Sequence, residues 1–259
     1  MARKTAEKEN KKKDKEADVT GTMSVVDHLR ELRDRIIWSL MAIAIAATIV
    51  FIFFTPLVHL MTHPYKVATV SKEFPNGRKL IFTGPLDAFI VRLKVAAYGG
   101  FVVSSPMVFF HLWRFITPGL NPKEKRYAIP FVLSSAVLFL GGAFVAVITF
   151  PKALSFLLGV GGKDLQPFIT ANSYLTLTFL MILAFGVSFE FPILMMFLLL
   201  ARVVHTSQLR KVRKYAFLGI VIFAAVITPS QDPISLFAMA IPMYLLYEIS
   251  IILGRLLKR

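Results

Sequence analysis

Six long apolar runs, separated by short charged segments, constrain this chain more than any motif in it. They fall at about Ile36–Met61, Ala88–Phe115, Tyr127–Phe150, Tyr174–Leu200, Tyr215–Ile227 and Ile234–Leu253. A bilayer's hydrocarbon core is about 30 Å thick, so a helix needs roughly 20 apolar residues to cross it. Four runs exceed that length and the sixth just meets it. The fifth is short, reaching only about 20 Å at helical rise. Short fifth and sixth runs joined by the small loop Thr228–Pro233 imply a thinned bilayer or a water-filled recess beside them. The expectation is an all-α polytopic membrane protein with six transmembrane helices.

The 56% hydrophobic content of these 259 residues is too apolar for a soluble domain, and 24 Phe suit lipid-facing and interhelical surfaces. A net charge of +15 would point to nucleic acid in a soluble protein. In a membrane protein, basic residues flanking the spans set orientation instead, so no nucleic-acid partner is expected. Fifteen basic residues flank the spans on the side of Arg30, Arg114, Arg210 and Arg255, against eight on the side of Lys72, Lys79 and Lys163. The positive-inside rule then places both termini in the cytoplasm, with Glu124 and Arg210 inside and Lys72, Lys163 and Asp232 outside.

Residues 1–22 are rich in Lys, Glu and Asp and cannot bury a core, so a disordered tail is expected. They do not read as a secretory signal peptide. The six-helix domain is expected over 23–254, followed by a basic tail at 255–259. Ser24 and Asp27 resemble a capping box. A short amphipathic helix should follow, with Val25, Leu29, Leu32 and Ile36 on one stripe, lying on the inner membrane surface. On its wheel Glu31 and Arg35 share a flank, and Arg33 falls on the other. Pro106, Pro130, Pro192 and Pro242 sit within spans. Each should kink its helix and together they favour a curved, concave shape. Gly99-Gly100 and Gly141-Gly142 read as helix-packing or bending sites.

Catalytic signatures do not emerge. The chain carries no H-E-x-x-H, no nucleotide-binding glycine loop and no G-x-S-x-G elbow. With no cysteine and five scattered histidines, neither a metal nor a cofactor is expected. What stands out is a set of carboxylates. Glu190 lies near the middle of the fourth run, where an ionised carboxylate costs about 3 kcal/mol on insertion scales. It should face a recess or a partner, or hold helices together. Glu248 should snorkel or pair with Arg255. Glu124 sits in the inner loop among Lys123, Lys125 and Arg126.

At these residues the chain resembles the TatC family, the multi-spanning receptor subunit of the twin-arginine protein translocase. The resemblance rests on H-L-R-E-L-R-D-R at His28–Arg35, S-P at Ser105–Pro106 and W-R-F-I-T-P-G-L at Trp113–Leu120. It continues through E-K-R at Glu124–Arg126, F-G-V-S-F-E-F-P at Phe185–Pro192, T-P-S-Q-D-P at Thr228–Pro233 and A-I-P-M-Y-L-L-Y-E at Ala240–Glu248. Seven such motifs in order among the spans are specific.

The resemblance implies a non-enzymatic receptor in a bacterial or archaeal inner membrane. It would work with TatA- and TatB-type single-span subunits, and self-associate in a multi-copy complex. It would bind twin-arginine signal peptides of folded precursors, and export would draw on the proton-motive force. Glu31 and Glu124 match the acidic recognition positions. Arg33, Phe115 and Arg126 match other positions of that surface. Glu190 matches the intramembrane glutamate of the concave face, and Asp232 an acidic outer-loop position linked to transport. Asp87 stands where Glu is usual, and Leu236 where some members have Gln. Physically, two carboxylates at the inner surface suit two guanidinium groups, while the surrounding basic residues reject unrelated cationic peptides. The alternative reading is a proton-coupled small-solute transporter with Glu190 as proton carrier. The lack of inverted repeats weighs against it, as does the lack of paired intramembrane carboxylates.

Overall fold

A computed structural model describes residues 25–70, 79–116, 128–161 and 168–256. The described residues form nine helices: α1 (Val25–Ile52), α2 (Phe54–Ala68), α3 (Asp87–Ile116), α4 (Ala128–Val160), α5 (Ala171–Ser188), α6 (Phe191–Leu200), α7 (Thr206–Lys211), α8 (Arg213–Ile227) and α9 (Pro233–Leu256). Helices are the natural answer for these runs, because a lipid-facing segment must satisfy its own backbone polar groups. Five helical segments are long and apolar enough to cross a membrane: Val26–Ile52, Asp87–Ile116, Ile129–Val160, Ala171–Leu200 and Pro233–Leu256. α8, with 15 residues, is shorter, as the thirteen-residue apolar run within it requires.

Several expectations need correction. Among the described residues no separate surface helix precedes the first span: α1 runs unbroken from Val25 to Ile52, because nothing between Leu29 and Ile36 breaks it. The first apolar run is instead divided at Phe53. Pro56, three residues into α2, cannot donate to the carbonyl of Ile52 and crowds it. The guanidinium of Arg92 from α3 donates to the Phe51 carbonyl at 3.1 Å and lies 4.4 Å from the Phe51 ring centroid. It therefore covers the carbonyl end of α1.

Proline acts differently at each site. Pro192 divides the fourth run, with Phe189 and Glu190 between α5 and α6. Pro130 lies in the first described turn of α4, and the helix runs on past it. α3 and α9 continue through Pro106 and Pro242. At Pro106 the freed carbonyl is that of Val102, and the Ser105 hydroxyl donates to it at 2.8 Å. The S-P pair thus carries its own repair. α4 also outruns its expected span, continuing through Pro151 to Val160.

Close backbone approach holds the helices together. A Cβ on Gly100 would stand 2.6 Å from the Cα of Ala47, so α1 and α3 touch backbone to backbone there. A Cβ on Gly142 would stand 2.5 Å from the Phe185 carbonyl oxygen, which locks α4 onto the end of α5. The main buried cluster runs through Tyr65, Phe150, Tyr174, Phe185, Met239 and Tyr247. A smaller one joins Phe109, Trp113, Phe131, Phe139, Ile193 and Leu200. The expected outer end is tied by Tyr174, whose hydroxyl donates to the Met61 carbonyl at 2.8 Å. Nearby, a bridge between Ile81 and Thr170 pins the segment before α3 to the start of α5.

Candidate functional site

Two polar sites emerge from this frame. The first follows from the contact between Ala47 and Gly100. α1 and α3 run antiparallel from that point, so Glu31 and the last turn of α3 arrive at about the same level. His28 stacks on Phe115 with ring centroids 4.3 Å apart and planes 12° apart. One turn from His28, Glu31 accepts from Arg35 Nη2 at 2.9 Å. Both side chains are largely withdrawn from solvent, at 19% and 20% exposure. A helix lying on the membrane surface would have left Glu31 more open to solvent than this.

The Glu31–Arg35 pair is incomplete. Glu31 Oε2 and Arg35 Nε are buried with no hydrogen-bond partner among the described residues. His111 of α3 is 6% exposed, and neither of its ring nitrogens has a partner there either. Arg33 does not join this cluster. It points to the exposed flank and pairs with Asp34 at 3.0 Å. Glu124 and Arg126 lie outside the described residues, as do residues 1–22 and Lys72 and Lys163.

The second site sits where α4 meets the break between α5 and α6. Ser135, Phe139, Gly142, Ala146 and Phe150 fall at helical spacing on one buried face of α4. Gly142 lets that face approach Phe185. Trp113 Nε1 donates to Ser135 Oγ at 2.7 Å, which holds the serine on the wall that faces the α5–α6 break. Glu190 Oε1 is buried without a partner among the described residues. The break itself is the reason a carboxylate fits here, since Pro192 cannot donate to the Ser188 carbonyl and the local surroundings are polar.

The remaining carboxylates have structural partners. Asp232 is 1% exposed. Its Oδ1 accepts from Ser235 N at 2.7 Å and its Oδ2 accepts from the Ser230 hydroxyl. With Pro233 opening α9, this is an N-cap followed by proline. Glu248 pairs with Arg213 of α8 at 2.5 Å and accepts from Tyr244 at 3.3 Å. Arg255, its expected partner, lies two turns further along the same helix, whereas α8 brings Arg213 alongside. Among the described residues no group of His, Asp and Glu could hold a metal ion.

Sequence reasoning missed Arg35, His111 and Ser135 as site members. Arg35 had a signal in its four-residue spacing from Glu31. A histidine inside an apolar run was another. Ser135 had none, because its role depends on which helix Gly142 allows to approach.

The fold and these sites define a polytopic α-helical membrane protein with carboxylates held in partly buried positions. The sequence matches the family model for the Sec-independent protein translocase protein (TatC) over residues 27–242. The chain is 44% identical over 243 residues to the Sec-independent protein translocase protein TatC of Frankia casuarinae, covering 92% of this chain and 67% of that one. The Aquifex aeolicus protein of the same name is 38% identical over 240 residues, covering 92% and 97%. A crystal structure of the twin arginine translocase receptor TatC in DDM superposes with a TM-score of 0.71 and 37% identity, covering 88% of this chain and 99% of that one. This chain belongs to the TatC family. It is a component of a Sec-independent protein translocase, a multi-pass membrane protein and not an enzyme.

Proposed function

We propose that this chain is the receptor subunit that binds twin-arginine signal peptides at the cytoplasmic face of the inner membrane. It spans the membrane six times with both termini inside, α8 being the short fifth span. It delivers folded precursors to a complex formed with TatA- and TatB-type subunits and further copies of itself, driven by the proton-motive force. Glu31 and Glu124 each take one arginine, with Phe115 and Arg126 beside them and Arg33 on the exposed flank of the same surface. The apolar part of the signal then lies along the helices below, toward Glu190. Asp232 shapes the outer loop that transport requires.

The observation that carries this reading is the half-satisfied carboxylate of Glu31. One oxygen accepts from Arg35, while the other is buried without a partner among the described residues. A buried acceptor in that state favours a charged donor. A guanidinium can engage both carboxylate oxygens at once, which an ammonium does not match. The basic character of the inner flanks accounts for the rejection of other cationic segments.

The test is site-specific crosslinking of a twin-arginine precursor and its twin-lysine counterpart to the wild-type chain and to Glu31→Ala and Glu124→Ala. A charge-assisted pair contributes roughly 1.5–3 kcal/mol, so each variant should lose about ten- to hundredfold in precursor affinity. Wild-type crosslinking in both variants at normal accumulation would rule out the assigned pocket. Equal capture of the two precursors by the wild-type chain would rule out arginine recognition.

A further inference from the structure

We infer that Arg35 is a specificity-determining residue: an internal guanidinium that occupies Glu31 until a ligand arginine displaces it onto His111. The inference rests on the reading of Glu31 as part of the receptor site.

The Glu31–Arg35 contact involves one oxygen and one nitrogen at 2.9 Å. Arg35 Nε and Glu31 Oε2 remain buried and unpartnered among the described residues, so the pair does not use the fork geometry open to it. It is therefore a weak occupant of a good carboxylate. A ligand competes with Arg35 rather than filling a vacancy. An arginine can win by engaging both oxygens. A lysine, a point charge with a strongly hydrated head, offers less than the guanidinium it must displace. Discrimination at this carboxylate then comes from the competitor as well as from the acceptor.

The displaced side chain has somewhere to go. His111 is 6% exposed and both its nitrogens lack partners among the described residues. The close approach of Ala47 and Gly100 sets the antiparallel register of α1 and α3, which puts Arg35, twelve residues before Ala47, level with His111, eleven after Gly100. A neutral imidazole presents one acceptor, and Arg35 still has donors to give it.

The experiment measures binding of two fluorescent peptides to the full-length chain in lipid nanodiscs. One carries two adjacent arginines before an apolar stretch, and the other carries two lysines there. Arg35→Gln should bind the twin-arginine peptide roughly three- to tenfold more tightly, the range between an exposed and a partly buried ion pair. It should gain more for the twin-lysine peptide, so that the preference narrows. Arg35→Lys should fall between Arg35→Gln and wild type in both respects. His111→Phe should weaken twin-arginine binding in the chain that keeps Arg35 and leave the Arg35→Gln chain unchanged. Unchanged or weaker twin-arginine binding in Arg35→Gln, with wild-type binding intact, would overturn the inference and leave the receptor reading standing. Equal effects of His111→Phe in both backgrounds would also overturn it. Failure of wild type and Arg35→Gln alike to bind the twin-arginine peptide would overturn both. Should Arg35→Gln not accumulate, Arg35→Lys decides: tighter twin-arginine binding supports the competitor role, and unchanged or weaker binding refutes it.

Discussion

The indole nitrogen of Trp113 donates to the hydroxyl of Ser135 at 2.7 Å. The contact connects the last turns of α3 with the buried face of α4 that carries Gly142. That face meets the end of α5 at Phe185, so the W-R-F-I motif is tied to the wall beside the α5–α6 break. Ser135→Ala should therefore remove this acceptor from the indole N–H. The expected loss is about 1–3 kcal/mol of stability, read as a lower melting temperature of the purified protein. Trp113→Phe combined with Ser135→Ala should cost less than the two single losses added together, since they share the contact. Strict additivity would separate the two residues.

Glu190 itself admits a cleaner division. Glu190→Gln keeps size and hydrogen bonding, while Glu190→Ala removes both. If the carboxylate acts through hydrogen bonds, the Gln variant should keep most export of a twin-arginine reporter and the Ala variant should lose it. If ionisation matters, both lose export while precursor crosslinking near Glu31 persists. Normal export in Glu190→Ala would leave the residue as a packing element.

The glycine pairs give an internal control. A Cβ at Gly142 would meet the Phe185 carbonyl oxygen at 2.5 Å, whereas one at Gly141 would meet nothing within 4 Å. Gly142→Ala should therefore destabilise by about 1–3 kcal/mol through overpacking. Gly141→Ala should be neutral or stabilising by up to roughly 1 kcal/mol through helix propensity. Thermal melts of the two variants side by side would check this, and similar melting temperatures would refute it.

Helix positions were legible because apolar runs must be helical in lipid, and α3, α8 and α9 cover the runs that announced them. What the sequence concealed is where those runs break. Pro56 and Pro192 each leave a carbonyl free, yet Pro106 and Pro242 stand inside uninterrupted helices. At Pro106 the difference is local and readable afterwards, since Ser105 donates to the freed carbonyl. Glu31 was marked by the resemblance alone, and its burial was not legible. That depends on how closely Gly100 lets α3 approach α1. Glu248 was given the wrong partner because sequence proximity favours Arg255, while Arg213 arrives from another helix.

The orientation proposed from basic flanks can be tested with single cysteines, because the chain has none of its own. Asp232 is a poor reporter, being 1% exposed, whereas Gln231 beside it is exposed. With an impermeant thiol reagent on intact spheroplasts, Gln231→Cys should label, as should cysteines at Lys72 and Lys163. Arg210→Cys and Glu124→Cys should label only after lysis. Labelling of Arg210→Cys in intact spheroplasts would overturn the orientation.

Asp232 carries two readings that one substitution pair separates. As an N-cap it accepts from Ser235 N, and its loss should cost about 0.5–2 kcal/mol of stability. Asparagine keeps that acceptor and removes the charge. A purely structural Asp232 therefore predicts that Asp232→Asn melts near wild type and exports normally, while Asp232→Ala melts lower and exports less. A transport role for the charge predicts a different pattern, with Asp232→Asn melting near wild type but failing to export. Melting temperature and reporter export, measured on both variants at matched accumulation, decide between them. Because the Ser230 hydroxyl also donates to this carboxylate, Ser230→Ala should lower stability by less than Asp232→Ala does. A larger loss from Ser230→Ala would place the restraint on α9 in the loop rather than in the cap.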